Sequence, residues 1–173
     1  NTMDNIRIIP SLLLYEDRLV KGVKFINHID SGDPIKTCVA YDSQIADEII
    51  LIDLKAYKNN LTPNYSLLKK ICSEANTPIT FGGNIKNEDE AIKSIYYGAD
   101  KIIINNNLDN TNLIKNLSRK IGNQAIVAGL DIFKDNGEYK LYKRGKILNY
   151  NPLKKVEEIL SLDIGELKIT FVN

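Results

Sequence analysis

Displaced by 118 places, the chain falls back on itself. Ile8-Ile9 lands on Ile126-Val127, Leu12 on Leu130, Tyr15 on Phe133 and Asp17 on Asp135. Farther on, with no gap, Asp33-Pro34 meets Asn151-Pro152, Lys36 meets Lys154, Ser43 meets Ser161 and Glu48 meets Glu166. The identities are sparse but sit at landmarks, so one supersecondary block has been used twice.

The pattern between those landmarks says what the block is. Apolar runs at Ile6 to Leu14, Glu48 to Leu54, Pro78 to Phe81, Lys101 to Ile104, Ala125 to Ile132 and Leu167 to Val172 read as six strands. They are rich in β-branched residues and nearly continuous, as strands of a parallel sheet covered on both faces are. Helical patterns lie between them, at Pro34 to Ser43, Tyr65 to Glu74, Asn87 to Tyr97, Asn110 to Lys120 and Asn151 to Leu162. Asp33-Pro34 and Asn151-Pro152 each place a capping side chain before a proline at the first helical position, and Asn87 with Glu90 forms a capping box. Alternating β and α units leave an α/β fold, either an open doubly wound sheet or a barrel. A four-unit block that restarts at unit five selects the (β/α)8 TIM barrel of two-half type. Such a barrel takes about 250 residues, so this chain, over 3–173, is expected to supply about six units. Asn1 and Thr2 ahead of Met3 are expected to be a tag remnant.

Charge and cysteine content exclude several functions. Twenty-three Lys and Arg against 22 Asp and Glu give a formal charge of +1, which is no footprint for nucleic acid or an anionic membrane. Cys38 and Cys72 have no metal-ligand or disulfide-framework spacing. No run approaches the ~18 apolar residues of a membrane span. A cytoplasmic protein with no metal and no cofactor is expected.

In a barrel of this kind functional groups collect where strands end. Asp131 lies within Ala128-Gly129-Leu130-Asp131-Ile132, where desolvation would raise its pKa and suit it to acid/base work; a cap for the following loop is the alternative. Asp53 could line the same mouth, with loop capping at least as good a reading. Gly82-Gly83-Asn84 follows a strand and leads to a helix, where backbone N–H groups can approach a phosphate, or where the chain simply turns. Asn105, Asn106 and Asn107 could add amide donors. Tyr15 to Gly32 is long for a βα connection and carries Lys21, Lys24 and His28; it reads as a mobile lid or as a plain hairpin, with His28 a surface residue. At the opposite end Arg7, Glu48, Lys101 and Glu166 each open a strand. Two cations and two anions there are either a closed ring of salt bridges or four solvated charges.

Arg7-Ile8-Ile9-Pro10, Arg18-Leu19-Val20-Lys21-Gly22, Gly32-Asp33-Pro34, Ala46-Asp47-Glu48, Phe81-Gly82-Gly83-Asn84-Ile85 and Gly98-Ala99-Asp100-Lys101 together resemble the cyclase subunit of imidazole glycerol phosphate synthase. The resemblance spans the chain. It implies a synthase that draws ammonia from a glutaminase partner, a class I glutamine amidotransferase, and delivers it through the barrel to a phosphorylated small-molecule substrate. It makes Arg7, Glu48, Lys101 and Glu166 an ammonia gate, Asp131 a catalytic aspartate and Lys21 the lid lysine. It also assigns Gly82, Gly83 and Asn105 to a phosphate site. The family pairs the strand-5 aspartate with one ending strand 1, and here that position is Leu13. Its preceding cysteine is Ser11, and its third phosphate-loop glycine is Asn84. The run Ile9-Pro10-Ser11-Leu12-Leu13-Leu14 is similar to a paralogous group in bacterial surface-polysaccharide loci, which implies a part in converting an acetamido to an acetamidino sugar.

Overall fold

The structure is a computed structural model that describes residues 6–23 and 27–172, with the side chains of 22–29 left aside. The readings for Asn1, Thr2 and Lys24, and for the His28 side chain, therefore lie outside the described residues. In chain order the elements are β1 (Ser11–Tyr15), β2 (Arg18–Val23), β3 (Asn27–Gly32), α1 (Pro34–Ser43), β4 (Ile49–Asp53), α2 (Leu54–Asn59), α3 (Tyr65–Glu74), β5 (Ile79–Gly82), α4 (Glu88–Tyr96) and β6 (Lys101–Ile104). After these come α5 (Thr111–Ile121), a 3-10 turn, β7 (Ile126–Asp135), β8 (Glu138–Lys143), β9 (Lys146–Leu148), α6 (Pro152–Leu160) and β10 (Glu166–Val172).

Six strands pair in parallel in the order β1, β4, β5, β6, β7, β10, which is the order of the first six units of a (β/α)8 barrel. The sheet does not close on itself among the described residues. The repeat is plain in three dimensions. Strands β1 and β7 each run on into an antiparallel hairpin, β2–β3 and β8–β9, and each hairpin leads to a helix that opens on proline, Pro34 in α1 and Pro152 in α6. Asp33 accepts from the Lys36 N–H and Asn151 from the Leu153 N–H, so both caps anticipated from sequence are made.

Side chains alternate across the parallel strands. Leu12 and Leu14, Ile49 and Leu51, and Ile79 and Phe81 face the helices in one cluster. Ile102 and Ile104, and Ile126, Ala128 and Leu130, face them in a second cluster with Leu113, Ile114 and Leu117 of α5. The opposite parity, which includes Leu13, Ile103, Gly129, Asp131 and Lys168, faces the barrel axis. Cys38 and Cys72 pack under the helices, and burial pushes their thiols up to about 12 and about 11.

Several boundaries differ from the sequence pattern. The first strand begins at Ser11 rather than Ile6, because residues before it bond on one side only: the Asp47 N–H donates to the Ile8 carbonyl (3.1 Å) and the Ile50 N–H to that of Pro10 (2.8 Å). Ile6 and Ile8 are correspondingly 92% and 69% exposed. The pairing of β2 with β3 follows the hairpin reading, with Lys21 exposed on β2 and Arg18 paired to Asp30 at 3.0 Å. Strand β7 extends past Ile132 to Asp135, where Asn136 and Gly137, both at positive φ, turn the chain into β8.

Because Ile104 is fully buried and Ile8 is not, Ile104→Ala should lower stability by about 2–5 kcal/mol. Ile8→Ala should stay within about 0.5 kcal/mol. Urea denaturation of both variants checks the contrast.

Candidate functional site

The inward parity places polar groups at both ends of the array and apolar ones between. At the strand entries Lys101 Nζ lies 2.9 Å from Glu48 Oε2 and 2.7 Å from Glu166 Oε1, while the Arg7 guanidinium reaches the same two carboxylates at 3.4 and 3.3 Å. The four expected charges thus form a closed ring rather than four solvated entries. Glu48 sits deepest, with 6% of its side chain exposed, and also accepts from the Thr80 hydroxyl. Burial works against the charge of Lys101, yet Glu166 and Glu48 hold its ammonium above the usual range. Burial likewise works against Glu166, and Lys101 with Arg7 holds its carboxyl below the usual range.

At the strand exits a cavity of about 190 Å³ is lined by Leu13, Tyr57, Gly83, Asn105, Asp131 and Lys168, among others. Asp131 Oδ2 accepts from the Tyr57 hydroxyl at 3.1 Å and from Asn105 Nδ2 at 3.4 Å. Burial pushes the Asp131 carboxyl up, opposed by those two donors and by Lys168. Lys168 Nζ donates to Thr170 Oγ1 at 2.6 Å; burial pushes its ammonium down, against the pull of Asp131. The Tyr57 hydroxyl is pushed up by burial and by Asp131. A larger hollow of about 380 Å³ shares Asn105 and Asp131 and extends beneath the β8–β9 hairpin to Tyr142, Tyr150 and Lys155. Leu13 shares the first cavity with Asp131 but brings no proton-transferring group to it.

The loop after β5 is held by packing as well as being placed at the mouth. Gly83 has φ +127°, and a Cβ there would fall 2.6–2.8 Å from the backbone and Cβ of Asp53. Asn84 is internally committed: its amide donates to the Leu61 carbonyl (2.9 Å) and to Asn60 Oδ1 (3.1 Å), and its oxygen accepts from Arg144 Nη2 at 2.6 Å. Arg144, at the tip of the β8–β9 hairpin, also donates to Asn60 Oδ1 at 3.0 Å. The hairpin of the second half therefore clasps the loop of the first. Asp53 takes the capping alternative. Its oxygens accept from the Ala56 N–H (2.9 Å) and the Asn64 N–H (2.8 Å), which starts α2 and leaves no lone carboxylate oxygen for the mouth. Burial pushes its carboxyl up, against those two donors. Asn107 bonds the Ile85 carbonyl, whereas both side-chain polar atoms of Asn106 are buried with no hydrogen-bond partner among the described residues.

Lys168, Thr170 and Tyr57 are polar mouth residues that the sequence reading left out. The signal for Lys168 was available: a lysine two places after Glu166 shares its parity and must face the axis. Tyr57 had no such signal, because α2 begins inside what reads as the end of a strand.

The repeat, the strand order and the cavity at the strand exits place the chain among two-half (β/α)8 barrels. It belongs to the histidine biosynthesis protein family, whose model matches residues 7–173. It is similar to proteins named imidazole glycerol phosphate synthase subunit HisF. That of Sulfolobus acidocaldarius is 33% identical over 174 residues, covering 99% of this chain and 70% of the relative. Those of Hydrogenobaculum sp. and Exiguobacterium sibiricum are 34% and 35% identical, covering 96% and 95% of this chain and 68% and 67% of the relative. No helix among the described residues is long and apolar enough to cross a membrane.

Two expectations follow for stability. Lys101→Met strips Glu48 and Glu166 of the nearer of their two shared cations and should cost about 3–5 kcal/mol, whereas Arg7→Ala, which removes a half-exposed partner, should cost about 1 kcal/mol or less, both read from denaturant midpoints at pH 7. Asp131 carries the opposite sign. A carboxyl whose folded pKa is raised favours the fold below its unfolded pKa and loses that contribution as pH rises through the folded value. Asp131→Asn should therefore raise the melting temperature at pH 7, with a gain that shrinks toward pH 3; a gain independent of pH would contradict this.

Proposed function

We propose that the chain is a cyclase-type synthase subunit that receives ammonia from a class I glutamine amidotransferase and adds it to a phosphorylated substrate at the mouth. The ring of Arg7, Glu48, Lys101 and Glu166 carries this reading: it closes the axis at one end while Asp131 stands in the cavity at the other. Lys101 bridges both carboxylates, so its displacement opens the axis. Inward Ile52, Ile103 and Leu13 offer a neutral molecule an apolar path and give a cation none. Asp131, its carboxyl raised by burial, holds a proton nearer to neutrality than a free aspartate and serves as general acid and base. Gly82, Gly83 and Asn105 supply the phosphate contacts, and Lys21 on the β2–β3 hairpin acts on the substrate as the hairpin folds over it. A cytoplasmic site of action accompanies this reading.

Within that class the chain is a specialised paralogue acting in acetamidino sugar formation for surface polysaccharide. The observation behind this is Leu13, which shares the cavity with Asp131 where imidazole ring closure calls for a second carboxylate. A cyclase of histidine biosynthesis is the second reading, supported by the names of the similar proteins. A glutaminase-activating scaffold without chemistry is a third, and the half-buried Asp131 in the cavity argues against it.

The deciding assay supplies ammonium and the phosphoribulosyl formimino carboxamide ribotide. Little or no imidazole glycerol phosphate should form, since one general acid/base group is typically worth ~10²–10⁴-fold. Leu13→Asp should recover part of that rate. Robust turnover by the unaltered protein returns it to histidine biosynthesis.

A further inference from the structure

Lys168 is an amine out of place. On β10 it lies level with Gly129, two positions below the Thr170–Asp131 pair, and its side chain climbs the barrel wall until Nζ meets the Thr170 hydroxyl at 2.6 Å. Among the described residues it forms no salt bridge, although Asp131 lines the same cavity. Gly129 helps create the space: a Cβ there would fall 2.9 Å from Ile103 and 3.3 Å from Asn105. An amine, a carboxyl and a phenol thus share one small, mostly apolar chamber, an environment that activates lysine as a nucleophile.

The rim of that chamber supplies a second element. The Arg144 guanidinium bonds the neutral amide oxygens of Asn60 and Asn84, its backbone N–H donates to the Tyr57 hydroxyl at 3.4 Å, and no carboxylate pairs with the guanidinium among the described residues. Asn84 and Gly83 line the chamber. A guanidinium without a counter-ion beside a glycine loop suits a phosphate, and the amine lies deeper in the same hollow.

We propose that Lys168 captures the carbonyl of a small phosphorylated aldose or ketose as a protonated imine, with Asp131 as its proton donor and Arg144 as the phosphate anchor. The neutral Nζ attacks the carbonyl carbon and a C–N bond forms, with one amine proton passing to the oxygen. Asp131 then protonates the carbinolamine hydroxyl, the C–O bond breaks, and water leaves. The products are an iminium on Lys168 and a carboxylate on Asp131, two opposite charges that stabilise each other out of water. Hydrolysis reverses each step. The depressed proton affinity of Lys168 and the raised one of Asp131 match the neutral forms that the first step consumes. This inference goes beyond the amidotransferase reading, since neither ammonia nor a glutaminase takes part.

The experiment treats the full chain with glyceraldehyde 3-phosphate at pH 7, reduces with cyanoborohydride and maps adducts by peptide mass spectrometry. Lys168 should be labelled on the order of tenfold faster than exposed Lys21. Asp131→Asn, which keeps the amine, should slow labelling of Lys168. Arg144→Ala should slow it with the phosphorylated aldehyde but not with glyceraldehyde. Lys168→Arg should abolish the chamber adduct while circular dichroism confirms the fold; if that variant does not fold, the map of the unaltered chain decides. Adducts spread over exposed lysines with Lys168 unmodified would overturn the proposal, and do so without bearing on ammonia transfer.

Discussion

Glu48 is the charge around which the lower half of the array is assembled. A carboxylate nearly removed from water is costly unless several donors meet it, and its donors come from three separate segments: Arg7 ahead of β1, Thr80 on β5 and Lys101 on β6. Lys101 and Arg7 then recruit Glu166 at the start of β10, so the entries of five parallel strands are pinned to one another. This fixes strand register where no hairpin turn can do so, because parallel neighbours are joined only through long crossovers.

The exits are organised on the opposite principle. Each charge at the entries is matched, and the surrounding charges favour the charged forms of Lys101 and Glu166. In the mouth, Asp131 and Lys168 are displaced toward their neutral forms and Tyr57 away from ionising, each chiefly by burial. One end therefore contributes stability at neutral pH and the other detracts from it. Such a division is expected where a site is kept reactive by a scaffold that is secure elsewhere.

Local chemistry made much of this legible from sequence. Asp33, Asn87, Asn110 and Asn151 cap helices whose starts lie within a residue of the sequence pattern, because a cap is a short-range hydrogen bond written in consecutive residues. The repeat disclosed the strand order, while the four strand-entry charges read equally as a ring or as solvated residues until the structure brought them together. What stayed hidden was decided at long range. The β8–β9 hairpin has its tip residue Arg144 tied to Asn84, 60 positions away in sequence, and nothing near Arg144 announces that partner. Asp53 could serve a mouth or a cap, and only the meeting with Ala56 and Asn64 separates the two. Lys168 was obscured by its apolar neighbours, which made β10 look uniformly buried.

Helix α2 is short, yet three parts of the mouth converge on it. Its capping residue, Asp53, leaves no room for even a methyl group at Gly83; its Tyr57 holds the Asp131 carboxylate; and Asn60, just past its end, receives Arg144. The first two contacts run through stiff backbone and a single phenol ring, and the third through the Arg144 side chain. A displacement of this helix would therefore move the Tyr57 hydroxyl relative to Asp131 and the Asp53 backbone relative to Gly83 together.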